Sequence, residues 1–97
     1  MTYSLKKVLA LEKEINANLP LFAYPSPRLI KQCKNSGISI KKDRLLQIDK
    51  VTYIKKEQDI FCMFYLDEAN NSVFTSIVNF VFNGKGSLIE KIEDFQI

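Results

Sequence analysis

The carboxylates of Glu90, Glu93 and Asp94 are the side chains whose spacing comes closest to a catalytic group. Paired carboxylates can exchange protons with a substrate or bind a metal ion. The segment around them is predicted to be a strand, in which residues i, i+3 and i+4 divide between the two faces. A shared site is therefore not expected. Asp49 is predicted to lie on a solvated strand edge.

Histidine is missing from the sequence. Histidine is the commonest general acid or base and the commonest metal ligand, and it completes Ser-His-Asp and Cys-His catalytic groups. Cys33 and Cys62 lack the spacing of a metal site and are interpreted as reduced thiols in the core. The sequence thus predicts no catalytic residue, metal ligand or cofactor, and it favours a protein that is not an enzyme.

Charge is divided unevenly along the chain. Residues 1–56 carry a net charge of +8 and residues 57–97 a net charge of −5. A basic surface of this kind can bind nucleic acid or another anionic partner, and the candidate residues are Arg28, Lys31, Lys34, Lys41, Lys42 and Arg44. Only Tyr53 adds an aromatic ring to the stretch 28–56, so nucleic acid is the alternative rather than the preferred partner.

Targeting signals are not predicted. The apolar run after Lys6 and Lys7 stops at Glu12, which is too short for the apolar region of a signal peptide. No segment approaches the run of about 18 apolar residues that a membrane span requires. The chain is accordingly expected to be a cytoplasmic protein with no membrane partner, and its 97 residues are expected to form one domain.

The first half of the chain predicts two helices. Ser4 can cap the first, which ends near Asn16, and residues 19–27 (LPLFAYPSP) are too rich in proline for an internal strand and are interpreted as a connector. Ser26 and Pro27 are typical of the start of a second helix, and Gly37 is typical of its end.

From Leu46 onward the apolar residues recur with a period of two, which predicts four strands at about 46–56, 60–67, 72–82 and 87–95. The turns between them contain KEQD, EANN and NGKG. We therefore expect an α+β fold in which two N-terminal helices pack on a curved four-stranded antiparallel meander.

Both faces of this predicted sheet are apolar. With two-residue turns, one face carries Ile54, Phe61, Met63, Tyr65, Val78, Phe80 and Phe82, and the other carries Val51, Tyr53, Cys62, Phe64, Ile77, Asn79 and Val81. Two short helices can cover only one face. Burial of one large side chain contributes about 1.5–3 kcal/mol, so the second face is expected to curl around a pocket or to meet a second subunit.

The C-terminal residues 82–95 (FNGKGSLIEKIEDF), after a long apolar strand, resemble the end of the nuclear transport factor two superfamily, a cystatin-like α+β group that includes SnoaL-like proteins. The residues that fit the superfamily's pattern of aromatic, glycine and apolar positions are Phe80, Phe82, Gly84, Gly86, Ile89, Ile92 and Phe95. The resemblance covers about 25 residues, and the chain is shorter than usual for the group. It implies a cone of curved sheet, a pocket between helices and sheet, and frequent dimers.

These observations predict a small module that associates with itself through its sheet and that can bind a small apolar ligand. The residues expected to line a cavity between helices and sheet are Tyr24, Tyr53, Phe64 and Asn79. Asn79 is the one polar side chain deep in the third strand; it can orient a ligand carbonyl or bond a backbone group.

Overall fold

The computed structural model describes residues 4–66, 71–84 and 86–96. Its elements, in chain order, are α1 (Leu5–Ala17), β1 (Leu21–Pro25), α2 (Pro27–Asn35), β2 (Leu46–Ile54), β3 (Asp59–Leu66), β4 (Asn71–Ser76), a 3-10 turn (Ile77–Asn79), β5 (Phe80–Val81) and α3 (Ser87–Gln96). The α+β class is confirmed, but the described residues form three helices and five strands instead of two and four.

The two predicted helices begin at their predicted caps. The Ser4 hydroxyl accepts a hydrogen bond from the Lys7 amide at 3.3 Å, and the Ser26 hydroxyl accepts one from the Leu29 amide at 3.2 Å. Each cap satisfies an amide that has no partner inside its helix. Helix α1 then buries Val8, Leu11 and Ile15.

The end of α2 depends on Gly37, whose φ is +80°. At this point the Gly37 amide donates to the Lys34 carbonyl and the Ile38 amide donates to the Cys33 carbonyl. This pair of bonds needs a left-handed residue between them, which glycine adopts without a steric penalty. The predicted helix end is therefore confirmed.

The predicted connector at 19–27 is wrong, because residues 21–25 form β1. This strand lies between β2 and β5 and pairs antiparallel with both. It pairs with each neighbour over only a few residues, with three residue pairs to β2 and two to β5. Pro25 is the last residue of the strand, where the missing amide hydrogen of proline does little harm.

Five antiparallel strands form one sheet in the order β4-β3-β2-β1-β5. In a flat sheet the outermost strands would be about 19 Å apart, at about 4.8 Å per strand. Strand β4 ends at residue 76 and β5 begins at residue 80. The four residues from 76 to 80 span at most about 15 Å. The sheet must therefore curl so that its edges approach each other, and it does so as a half-barrel.

The inner face of this half-barrel holds the core. Its fully buried strand residues include Ala23, Ile48, Ile60, Cys62 and Phe64, and α1, α2 and α3 contribute apolar residues to the same cluster. The predicted division of β2 and β3 is confirmed, because Val51, Cys62 and Phe64 lie inside while Phe61, Met63 and Tyr65 lie on the outer face.

Beyond β4 the predicted faces are wrong. The 3-10 turn breaks the period of two, so Phe80 and Phe82 join Ile77 and Asn79 among the buried residues, while Val78 and Val81 are exposed. The predicted strand at 72–82 is thus two short strands on opposite edges of the sheet, joined by this turn.

Helix α1 covers an edge of β2 that β1 leaves open. Strand β1 pairs only with residues 46–48 of β2. Farther along, the Glu12 carboxylate accepts the Tyr53 amide at 2.6 Å and the Asn16 side chain donates to the Val51 carbonyl at 3.2 Å. Two side chains of the helix thus replace a neighbouring strand.

The predicted strand at 87–95 is wrong, because residues 87–96 form α3. Its Ile92 side chain is fully buried in the core, and Gln96 donates to the carbonyls of Ile77 and Phe80, each at 2.8 Å. Helix α3 therefore packs on the half-barrel and holds the 3-10 turn. The predicted turn at 68–71 lies almost wholly outside the described residues, as does Lys85 of the predicted turn at 83–86.

Candidate functional site

An aromatic patch lies on the outer face of β3 and β4. We define the outer patch as Phe61, Met63, Tyr65 and Phe74. Tyr65 and Phe74 are 52% and 49% exposed, and the rings of Phe61 and Phe74 lie 5.2 Å apart at an angle of 38°. Met63 pairs directly with Phe74 across the two strands. Large apolar side chains in one exposed cluster are typical of a surface that binds another molecule.

The outer patch reaches the edge of the sheet, because β4 is an edge strand. The β4 sequence NSVFTS contains no charged residue and no proline. Edge strands of soluble proteins usually carry such residues, which prevent pairing or packing with other chains. Strand β4 therefore lacks the usual protection against association.

Polar contacts hold the end of β4 in place. The Ser76 hydroxyl donates to the Asp59 carboxylate across the sheet and accepts the Val78 amide at 3.3 Å. The other Asp59 oxygen accepts the Ile60 amide at 2.8 Å. Ser76 pairs with Phe61, and Asp59 lies two residues before Phe61 on the same face. These bonds therefore keep β3 and β4 in register at the border of the outer patch.

A groove separates α2 from β4. Its volume is about 390 Å³, and it is lined by residues that include Leu29, Gln32, Cys33, Ile38, Val73 and Thr75. The Thr75 hydroxyl reaches across it to the Gln32 side chain at 3.4 Å. We call it the helix–sheet groove. The residues lining it are divided about equally between apolar and polar types, and small-molecule sites likewise combine apolar walls with polar groups.

The four residues predicted to line one cavity are divided between the inside and the outside of the half-barrel. Phe64 is fully buried and meets Phe80 edge-on, with ring centres 5.7 Å apart at 86°. Tyr53 is half-buried on the same inner face, opposite Ile60. Tyr24 is half-buried on the outer side of β1, opposite Val81. None of the four lines the helix–sheet groove.

Asn79 joins three parts of the fold. Its side-chain amide donates to the Thr75 hydroxyl at 2.7 Å, and its backbone carbonyl accepts the Ser26 amide at 3.0 Å. Its side-chain oxygen, which is buried, has no partner among the described residues. Asn79 therefore links the 3-10 turn to β4 and to the start of α2, which agrees with a hydrogen-bonding role inside the fold.

A second groove lies at the other end of the sheet, and we call it the β1–β5 groove. Its volume is about 460 Å³ and its lining residues are Tyr24, Pro25, Lys42, Asp43, Val81 and Asn83. Of the predicted basic residues, Lys42 is the one among those lining it. Five of these basic residues are exposed, namely Arg28, Lys31, Lys34, Lys41 and Lys42, while Arg44 is half-buried.

The two cysteines are free and buried, as the sequence predicts. Burial raises the pKa of the Cys62 thiol to about 12, and the negative charge of Asp59 adds to the effect. Burial also raises the pKa of Cys33. Because only a thiolate is a good nucleophile, both side chains are neutral packing groups at physiological pH.

The carboxylates of Glu90, Glu93 and Asp94 lie on a helix, so the prediction that a strand divides them between two faces is wrong. All three residues are exposed. Asp49 is half-buried in β2 and accepts a hydrogen bond from the Gln47 side chain at 2.7 Å. Within residues 4–66, 71–84 and 86–96, no three His, Cys, Asp or Glu side chains are grouped to hold a metal ion.

None of the helices formed by the described residues has the length and apolar character that a membrane crossing requires. No protein-family model matches this chain, and no curated protein or solved structure is significantly similar to it.

Proposed function

We propose that this protein is a self-association module in which two copies pack their outer patches against each other. The observation that carries this proposal is the exposure of Tyr65 and Phe74 beside the unprotected edge strand β4. Aromatic residues are enriched in protein interfaces, and tyrosine is among the residue types that most often contribute strongly to binding. The resemblance to the nuclear transport factor two superfamily also implies frequent dimers, although its last segment forms a helix here.

The occupant of the patch is inferred from charge. A twofold interface brings the same residues of two copies together, so any net charge on it repels itself. The four residues of the outer patch and the whole of β4 are uncharged. The connection between β1 and β2, in contrast, holds six Lys or Arg and only Asp43 as an acid. Beside the patch lie one basic and one acidic residue, Lys50 and Asp59, whose charges offset each other. Two copies can therefore meet at the outer patch with less repulsion than at the basic end.

The Phe74→Ala variant tests this proposal by sedimentation velocity over a micromolar to submillimolar concentration series. A central aromatic residue contributes about 2 kcal/mol or more, and a twofold dimer loses it twice, so the dimer should be weakened roughly a thousandfold. The matched control is Phe22→Ala, because Phe22 is 50% exposed against 49% for Phe74 but lies on β1.

Two results would contradict the dimer. One is a wild-type protein that stays monomeric throughout the series. The other is equal dissociation by Phe22→Ala. Both side chains are half-exposed and contribute little to the core, so both variants should fold. Circular dichroism of each variant checks this.

The helix–sheet groove supports a second candidate function, the binding of a small apolar ligand. Its volume of about 390 Å³ lies within the usual range of about 300–1,000 Å³ for ligand sites. Gln32 and Thr75 would orient the ligand, and Leu29, Ile38 and Val73 would shield it from water.

Titration with the neutral dye Nile red tests this second function. Ser36→Phe places a ring in the groove that Ser36 lines, and it should reduce the fluorescence gain at least severalfold. Ser39→Phe adds the same ring at an exposed position that is not among the groove's lining residues. Equal binding to the wild type and to Ser36→Phe would exclude the groove as the site.

A further inference from the structure

We propose that the β1–β5 groove and the basic residues that follow β1 in the chain bind single-stranded nucleic acid, through phosphate contacts and stacking on Tyr24 and Phe22. This inference does not depend on the proposed dimer, because the outer patch lies on β3 and β4. Three observations carry it: the excess of positive charge, the aromatic side chains on β1, and the groove that Tyr24 and Lys42 both line.

Positive charge is concentrated in the segments that follow β1. Between residues 15 and 48 there are six Lys or Arg, and Asp43 is the only acid. Arg28, Lys31 and Lys34 are exposed on α2, which begins two residues after Pro25 of the groove lining, and Lys41 and Lys42 are exposed in the following connection. Lys42 itself lines the groove. Such a surface attracts a polyanion and releases its counterions.

Aromatic rings lie next to this charge. Phe22 is 50% exposed, and Tyr24 lies two residues along the same strand, lines the groove and is half-buried. Side chains two apart in a strand share a face and are about 7 Å apart. This is about twice the spacing of stacked bases in a duplex, so bases on Phe22 and Tyr24 must be separated from each other. Unpaired strands allow this, and duplexes do not.

The groove also offers polar and apolar contacts for a base. Asn83 can hydrogen-bond a base edge, and Val81, which pairs with Tyr24, is 45% exposed and can contact a base face. An acidic peptide could bind the basic residues, but it would have no bases to stack on the two aromatic rings of β1. A membrane surface would need an exposed apolar face on α2, whereas Leu29 and Cys33 of α2 are buried in the core.

The test is fluorescence anisotropy of labelled oligothymidylate with the full chain, at salt concentrations from about 50 to 200 mM. The variant Lys31→Gln/Lys41→Gln/Lys42→Gln should bind at least tenfold more weakly, and its slope of log affinity against log salt should be smaller by about 2, since each lost contact removes about 0.7. Lys6→Gln/Lys7→Gln/Lys13→Gln is the control, because it also lowers the formal charge from +3 to zero but alters exposed residues of α1.

Two single substitutions make the site assignment sharper. Phe22→Ala should weaken binding at least fivefold without changing the salt slope, because it removes stacking and no charge. Asp43→Asn should strengthen binding and steepen the slope. The proposal is overturned if the wild type does not bind at about 50 mM salt, if the α1 control loses as much affinity, if Phe22→Ala has no effect, or if duplex DNA, an acidic peptide or anionic vesicles compete as well as the unlabelled single strand.

Discussion

Replacing Phe64 by alanine should lower the free energy of unfolding by about 3–5 kcal/mol. Phe64 is fully buried on the inner face of the half-barrel, and its ring packs edge-on against Phe80 at 5.7 Å. The substitution removes apolar burial and leaves a cavity between β3 and β5, which a closely packed interior cannot fill by relaxation. For a domain of ordinary stability this is a large fraction of the total.

Chemical denaturation followed by circular dichroism measures this loss. Phe22→Ala, at a half-exposed position on β1, serves as the control and should cost much less. A double-mutant cycle with Phe80→Ala should give a coupling of about 0.5–1.5 kcal/mol, which is typical of an edge-to-face pair. A loss at Phe64 no larger than the loss at Phe22 would mean that Phe64 does not lie in the core.

Replacing Ile92 by alanine should cost about 2–5 kcal/mol, whereas Glu93→Ala on the same helix should change stability by no more than about 0.5 kcal/mol. Ile92 is fully buried and Glu93 is exposed. Helix α3 packs its apolar side on the half-barrel and places Gln96 against the Ile77 and Phe80 carbonyls. Loss of Ile92 should therefore loosen the 3-10 turn as well as the helix.

Hydrogen exchange provides the second measurement. The amides of α3 should exchange faster in Ile92→Ala than in Glu93→Ala, with the largest change beyond the first turn. A comparable loss of stability for both variants would contradict the helix, because it would require residues 92 and 93 to be equally buried.

Helix α2 could be predicted from sequence because its signals are local. The Ser26 cap, Pro27 in the first turn and Gly37 after the last all act within a few residues of the chain. The period of two in β2 and β3 is likewise local, and it places Phe61 and Phe64 on the correct faces.

Strand β1 and helix α3 were predicted wrongly for different physical reasons. Strand β1 has two prolines at its borders, and only its neighbours β2 and β5 make it a strand. Helix α3 has a local signal that could have found it: Ser87 followed by Glu90 is a helix-start pattern, and Leu88, Ile92 and Phe95 follow helical spacing. However, a short apolar segment that follows two glycines is equally typical of the second strand of a β-hairpin.

The candidate sites depend mostly on contacts distant in sequence. Exposure of Tyr65 follows from strand period, but the helix–sheet groove needs α2 and β4 to meet, and the β1–β5 groove needs Tyr24 beside Val81. Tyr24 lies apart from Phe64, with which it was predicted to share a cavity, because alternation along β1 and β3 places Tyr24 on the outside and Phe64 in the core.

The long sequence separation between β1 and its partner β5 affects the order in which the fold can form during synthesis of the chain. Tyr24 pairs with Val81, which lies 57 positions later in the chain. Strand β1 therefore gains its second neighbour only after residue 81 has been synthesised. During translation, an emerging polypeptide can therefore form α1, α2 and the β2–β3 hairpin while one side of β1 still lacks a partner. Closure of the half-barrel therefore requires residues 80–81 to have left the ribosome.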